Sequence, residues 1–218
     1  MAYGSAGGFG FKAVGSILNA DFTQTVHPYS IDPTYETSIG IGDLVVMARQ
    51  SNGTPAIPNG SGGYIRKYNV ANVDTALPLG IFVGCEFKPA KIMQPSSNGA
   101  WIAGTAVSSG IVTAYINDDP NLILEVVSSN TDGSGATPLE LGMLWKNAKP
   151  STVTNIDTLS GISNVTLDLE TVNTTATLPF QIIGLGGNPR NQLGQDYNVV
   201  RVRFNRHLFG KVGTAGLA

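Results

Sequence analysis

The sequence is short of the residues from which most chemical sites are built. Its 218 residues hold one cysteine and two histidines, and only 13% are charged, about half the share usual in soluble domains. A single thiol, Cys85, can make neither an internal disulfide nor a cysteine-based zinc site. In Leu79-Gly-Ile-Phe-Val-Gly-Cys-Glu86 it reads as a small buried apolar residue. His27, beside a proline, and His207, at the end of the last long strand, are too few for a histidine-based metal site. The chain has no Gly-x-Ser-x-Gly nucleophile elbow, no phosphate-cradling Gly-x-x-x-x-Gly-Lys-Ser/Thr and no Gly-x-Gly-x-x-Gly turn. The expectation is no catalytic residue, no metal and no cofactor. No run approaches the roughly 20 apolar residues that span a bilayer. Residues 1–10 carry neither the basic stretch nor the apolar core of a signal peptide, so synthesis in the cytoplasm and no membrane partner are expected. A net charge of −2 argues against direct nucleic-acid binding.

In place of charge stand 27 Gly, 19 Thr, 17 Asn and 16 Ser, and Val plus Ile number 34 against 17 Leu. Branching at Cβ stiffens these side chains and favours strand over helix. Short apolar runs recur between turn signals: Asp43-Leu-Val-Val-Met47, Tyr64-Ile-Arg-Lys-Tyr-Asn-Val70, Leu79 to Glu86, Leu178-Pro-Phe-Gln-Ile-Ile183 and Asn198-Val-Val-Arg-Val-Arg-Phe204. Residues 51–63, rich in Gly, Pro and Asn, read as a loop. Gly110-Ile-Val-Thr-Ala-Tyr-Ile116 and Asn121-Leu-Ile-Leu-Glu-Val-Val127 read as a hairpin around a proline-containing turn. The one helical signal is a turn over residues 137–143, with Thr137 as its cap and Pro138 in first position. These elements predict an all-β fold: a sandwich or partly open barrel of short, mostly antiparallel strands.

Residues 1–38 have neither a helical nor a two-residue period, and their Pro and Gly predict an extended N-terminal arm. Exposed rings are costly in a free tail, so Tyr3, Phe9, Phe11, Tyr29 and Tyr35 are candidates for docking on a neighbour. Residues 39–209 form the β-rich body and residues 210–218 a flexible tail. In residues 200–204, alternation sets Val200, Val202 and Phe204 against Arg201 and Arg203. With Arg190 and Arg206 these arginines make a second candidate contact face, because guanidinium forks pair well with carboxylates across subunits. Asp118 and Asp119 could hold a hard cation or cleave a glycoside, but a solvated turn before Pro120 is the simpler reading. Four Asn-x-Ser/Thr triplets, at Asn52, Asn59, Asn164 and Asn173, are close to chance in so Asn- and Thr-rich a chain. Trp101 and Trp145 read as core residues that could alternatively stack on sugars.

Along the chain follow Gly-Phe-Gly-Phe at residues 8–11, Ile41-Gly-Asp-Leu-Val45, Gly80-Ile-Phe-Val-Gly-Cys-Glu-Phe87, Tyr115-Ile-Asn-Asp-Asp-Pro120 with Leu124-Glu-Val126, Ser160-Gly-Ile-Ser-Asn-Val-Thr-Leu-Asp168, and Ile182-Ile-Gly-Leu-Gly-Gly-Asn-Pro-Arg190 before Val200-Arg-Val-Arg-Phe-Asn-Arg-His207. Taken in that order, these motifs resemble tailed-phage capsid decoration (cement) proteins. The resemblance implies a β-rich structural protein on the outer surface of the virion. Its partners would be the major capsid protein of the same particle and further copies of itself, as a trimer. A head-fibre or adhesion module that binds host glycans is the alternative.

Overall fold

β-branched residues crowd their own backbone and relax in extended conformation, and nearly every apolar run of the chain does so. The computed structural model describes residues 8–18, 25–48, 63–72, 76–90, 96–108 and 112–217. In chain order the strands are β1 (Lys12–Ser16), β2 (Val26–Ile31), β3 (Leu44–Met47), β4 (Ile65–Lys67), β5 (Gly80–Phe87), β6 (Ser96–Asn98) and β7 (Val112–Asn117). There follow β8 (Leu122–Ser129), β9 (Asn147–Pro150), β10 (Leu167–Asn173), β11 (Phe180–Leu185), β12 (Val199–Phe204), β13 (Arg206–His207) and β14 (Lys211–Val212). Helix is confined, among the described residues, to single 3-10 turns at Val70–Asn72 and Leu141–Met143. The fold is all-β and mostly antiparallel.

One sheet runs β1-β8-β10-β9-β11-β12, and β12 returns to pair with β8. Strands β8, β10, β9, β11 and β12 thus form a five-stranded barrel. It is only partly closed, because β10 meets β8 over just two parallel positions, Leu167↔Ser128 and Asp168↔Ser129. The second sheet runs β2-β7-β5-β3-β4, with β6 on β5, and a bridge from Tyr64 to Ser30 brings the β4 end back to β2. Closure of this kind removes the open strand edges that invite aggregation.

Two cores result. The barrel is filled by Leu122, Leu124, Val126, Leu167, Phe180, Ile182, Val200, Val202 and Phe204, with Phe11 from the N-terminal segment. The second sheet packs around Phe82, Trp101, Val112, Ala114 and Ile116. Strand β3 serves both: Leu44 and Val46 enter the first core and Val45 the second. Side chains alternate across a strand, so a run apolar on both faces can lie between two cores.

Several expectations are corrected. Strands β7 and β8 do not form a hairpin. β7 lies between β2 and β5, and β8 has β12 on one edge and β1 and β10 on the other. Both strands are already flanked, so the turn between them carries the chain from one sheet into the other. The described strands of the N-terminal segment are extended, but they are woven into the body: β1 pairs with β8 and β2 with β7. Gly10 and Gly42 make this possible. Both have left-handed φ, 71° and 87°, and their backbones touch, so a Cβ on Gly10 would come within 2.9 Å of Gly42. Phe11 N–H then donates to the Gly42 carbonyl at 2.8 Å.

Residues 210–217 are tied down as well. β14 pairs with β13, Thr214 N–H donates to Asn205 Oδ1 at 2.8 Å and Asn147 Nδ2 donates to the Thr214 carbonyl at 2.8 Å. Two buried carboxamides satisfy backbone groups that a loose tail would leave to water. The helical turn expected at residues 137–143 shrinks to Leu141–Met143, with Glu140 in the position before it making no side-chain cap bond. Leu139 is buried, and its N–H donates to Asn198 Oδ1 at 2.8 Å, which holds the preceding residues extended.

Candidate functional site

The polar centre of the molecule is a buried ion pair between the two sheets. Alternation along β4 puts Lys67 on the same side as buried Ile65 and turns Arg66 outward. Lys67 Nζ lies 2.8 Å from Asp43 Oδ2, and both side chains are almost fully buried. Nζ also donates to the Thr154 carbonyl at 2.8 Å. Asp43 accepts from Gly40 N–H at 2.8 Å and from the Ser163 hydroxyl at 2.6 Å. Burial pushes the Asp43 carboxyl above its ordinary range, against the opposing pull of Lys67, Ser163 and the Gly40 N–H. Thr154 and Ser163 belong to the β9–β10 connection of the barrel, and Asp43 and Lys67 to the second sheet. Lys67, Gly40 and Ser163 therefore converge on one carboxylate, and Thr154 holds the lysine from the barrel side. In the sequence both residues stood in strand runs, Asp43 also in a motif of the resemblance, and neither was given a role.

A second cluster sits where β7 hands over to β8. Asp118 is buried rather than solvated. Tyr29 Oη donates to its Oδ2 at 2.6 Å, and His27 Nδ1 lies 2.7 Å from its Oδ1. Burial, reinforced by the carboxylate of Asp118, pushes the Tyr29 phenol well up. Asp119 does behave as a turn residue and accepts from Asn121 N–H at 2.8 Å. His207 is buried nearby, edge-on to Phe204 at 4.8 Å. Its Nδ1 accepts from Phe209 N–H at 3.1 Å, so a neutral ring carries its proton on Nε2. Burial lowers its pKa to about 4, opposed by Asp118 and Asp119 and assisted by Lys211. Both histidines and the acidic pair share this corner. Among the described residues no group of three His, Cys, Asp or Glu is placed to hold a metal.

The sign of the His207 effect is fixed. An unfolded chain takes the proton near pH 6.5 and the folded one near 4, so stability is full above about 6.5 and falls as the pH drops toward 4. The loss is on the order of 3 kcal/mol. Urea melts at pH 7 and pH 4 should show it, and His207→Asn, which keeps an acceptor for Phe209 N–H, should flatten the slope. The same slope in both proteins would remove His207 as its cause.

The expected contact residues divide. Tyr3 lies outside the described residues. Phe9 is half-buried. Phe11 and Tyr29 are buried in this chain's own core and cannot dock elsewhere: Phe11 stacks on Phe180 at 4.5 Å, and Tyr29 is held by Asp118. Tyr35 is half-buried, and its oxygen accepts from Lys67 N–H at 3.0 Å. The alternation in β12 places Arg201 and Arg203 outward, but each is engaged within the chain. Arg201 Nε meets Glu125 Oε1 at 3.0 Å, and Arg203 Nε donates to Gln181 Oε1 at 2.9 Å. Arg206 donates to the Thr177 carbonyl at 3.0 Å, and Arg190 stands exposed. Trp101 is fully buried against Phe87, its indole N–H on the Tyr35 carbonyl at 3.2 Å; it offers no face to a sugar. Cys85 is buried, and its thiol is pushed up to about 12 by burial.

Large apolar side chains are held out at four places on the surface; the sequence reading missed them apart from Trp145, which it took as core and which is in fact 45% exposed. Leu18 stands on the turn after β1. Leu141 and Trp145 stand between β8 and β9, with Leu217 beside them through its N–H on the Trp145 carbonyl at 3.1 Å. Leu159, 95% exposed, tips the β9–β10 connection, and Phe209 and Val212 stand on the β13–β14 hairpin. Two of these segments are rigid. Asp157 accepts from Leu159 N–H at 3.0 Å and from the Ser160 hydroxyl at 2.7 Å. Trp145 has φ of 65°, a strained conformation for a bulky residue, which its bonds to Ile182 and Gln181 sustain. Compared with protein-family models, with curated proteins and with solved structures, the chain matches none of them.

Proposed function

We propose that this chain is a structural virion protein that binds the outer surface of a phage capsid and bridges neighbouring shell subunits. The observation that carries the reading is the set of large apolar side chains on four separate, partly rigid segments of a body whose two cores are already filled. Water-exposed apolar area of that kind gains when another protein covers it, and several separated points suit a protein that touches more than one neighbour. The low charge agrees, since little like-charge repulsion opposes close association. Three weak contacts held in one trimer would act together, with avidity raised by about 10² to 10⁴. Bridging then resists expansion of the shell, because the contacts must break at once.

The test is a comparison of particles with and without the chain. Particles lacking it should release their genome at lower temperature and on milder osmotic shock, and a reconstruction should place it on the shell's outer surface. Equal robustness, or particles that carry none of it, would end this reading.

A further inference from the structure

Between the two sheets, above the Asp43–Lys67 pair, lies a cleft of about 530 Å³, within the range of small-molecule sites. One wall is Tyr35 and residues 67–71 of the second sheet, and the other is residues 150–154 and Val165 of the barrel. Its charge is balanced internally. The Lys67 ammonium is met by Asp43 and by the Thr154 carbonyl, and both Asp43 oxygens are occupied. A charged ligand would find no counter-charge, and losing its water would cost it heavily.

What the cleft does offer is a pair of donors beside apolar surface. Tyr35 Oη accepts from Lys67 N–H, which leaves its own proton with no acceptor among the described residues. Asn69 Oδ1 accepts from Ala71 N–H at 2.9 Å, which leaves its amide hydrogens to donate. Val70, Val153 and Val165 line the cleft alongside. An uncharged molecule with acceptor oxygens on one edge and C–H groups on its face matches this arrangement. We propose that the inter-sheet cleft is a binding site for a neutral sugar unit. The site is distinct from Trp145 and stands whether or not the chain coats a shell.

The test uses the full purified chain, with amide chemical shifts followed during titration with neutral mono- and disaccharides at millimolar concentration. At least one sugar should move the amides of residues 67–71 and 151–154 selectively. Asn69→Ala, at an exposed position, and Tyr35→Phe should each weaken binding about 5-fold, the worth of one neutral hydrogen bond, while both stay folded by circular dichroism, Asn69→Ala losing only its turn bond to Ala71 N–H. No shifts, shifts outside the cleft, unchanged affinity in Asn69→Ala, or preference for a charged sugar or a peptide would each overturn the assignment. None of these outcomes bears on whether particles need the chain for robustness.

Discussion

Asp43→Ala is expected to remove about 3–5 kcal/mol of stability, the usual result of stripping one partner from a buried ion pair. In a chain of this size that corresponds to a fall in melting temperature of about 10 °C or more. The substitution leaves the Lys67 ammonium with only the Thr154 carbonyl, and it orphans Gly40 N–H and the Ser163 hydroxyl. The double variant Asp43→Ala/Lys67→Met should recover much of the loss, because no charge is then left in the interior and the cost of an unmatched ion disappears. Calorimetry of the single and double variants decides the matter. A single variant within about 1 kcal/mol of the parent would mean that water reaches Lys67 and that the pair does not join the sheets.

Phe180→Ala should cost a similar amount, about 3–5 kcal/mol, for a different reason. Phe180 is fully buried, stacked 4.5 Å from Phe11 and tilted 5.4 Å from Phe204. Truncation leaves a void that closed strands on every side cannot collapse to fill. It also takes from Phe11 the ring that anchors the N-terminal segment, so amides of β1 should exchange faster than those of β5. Phe180→Leu, which refills most of the volume, should cost about 1–2 kcal/mol. A loss below 1 kcal/mol for the alanine variant in urea melts would show that Phe11 is not seated on this ring.

How legible this was in the sequence depended on whether the information was local. The faces of β12 could be read directly, since Val200, Val202 and Phe204 alternate with Arg201 and Arg203 and burial follows that alternation. The strands around residues 80–87, 112–117 and 122–129 stood out as apolar runs between turns. Their partners did not, because pairing depends on residues far away in the chain. Nothing near residues 118–121 says that β7 and β8 are each flanked from elsewhere, so a turn between two strands looked like a hairpin. Phe11 and Tyr29 were rightly read as rings in need of pockets, but composition cannot say whose pockets, and these belong to the same chain. One signal was available and unused. The two-residue period that buries Ile65 also buries Lys67, and a lysine on an apolar face calls for a carboxylate.

The pairing of β12 with both β8 and β11 has a consequence for how the protein is made. Leu122 to Ser129 and Phe180 to Leu185 leave the ribosome before residues 199–204, so each waits with one margin uncovered until that strand emerges. Nascent or prematurely terminated chains therefore expose adhesive margins that the finished molecule conceals. A chain truncated just before Val199, which lacks β12, should yield inclusion bodies rather than a smaller soluble product.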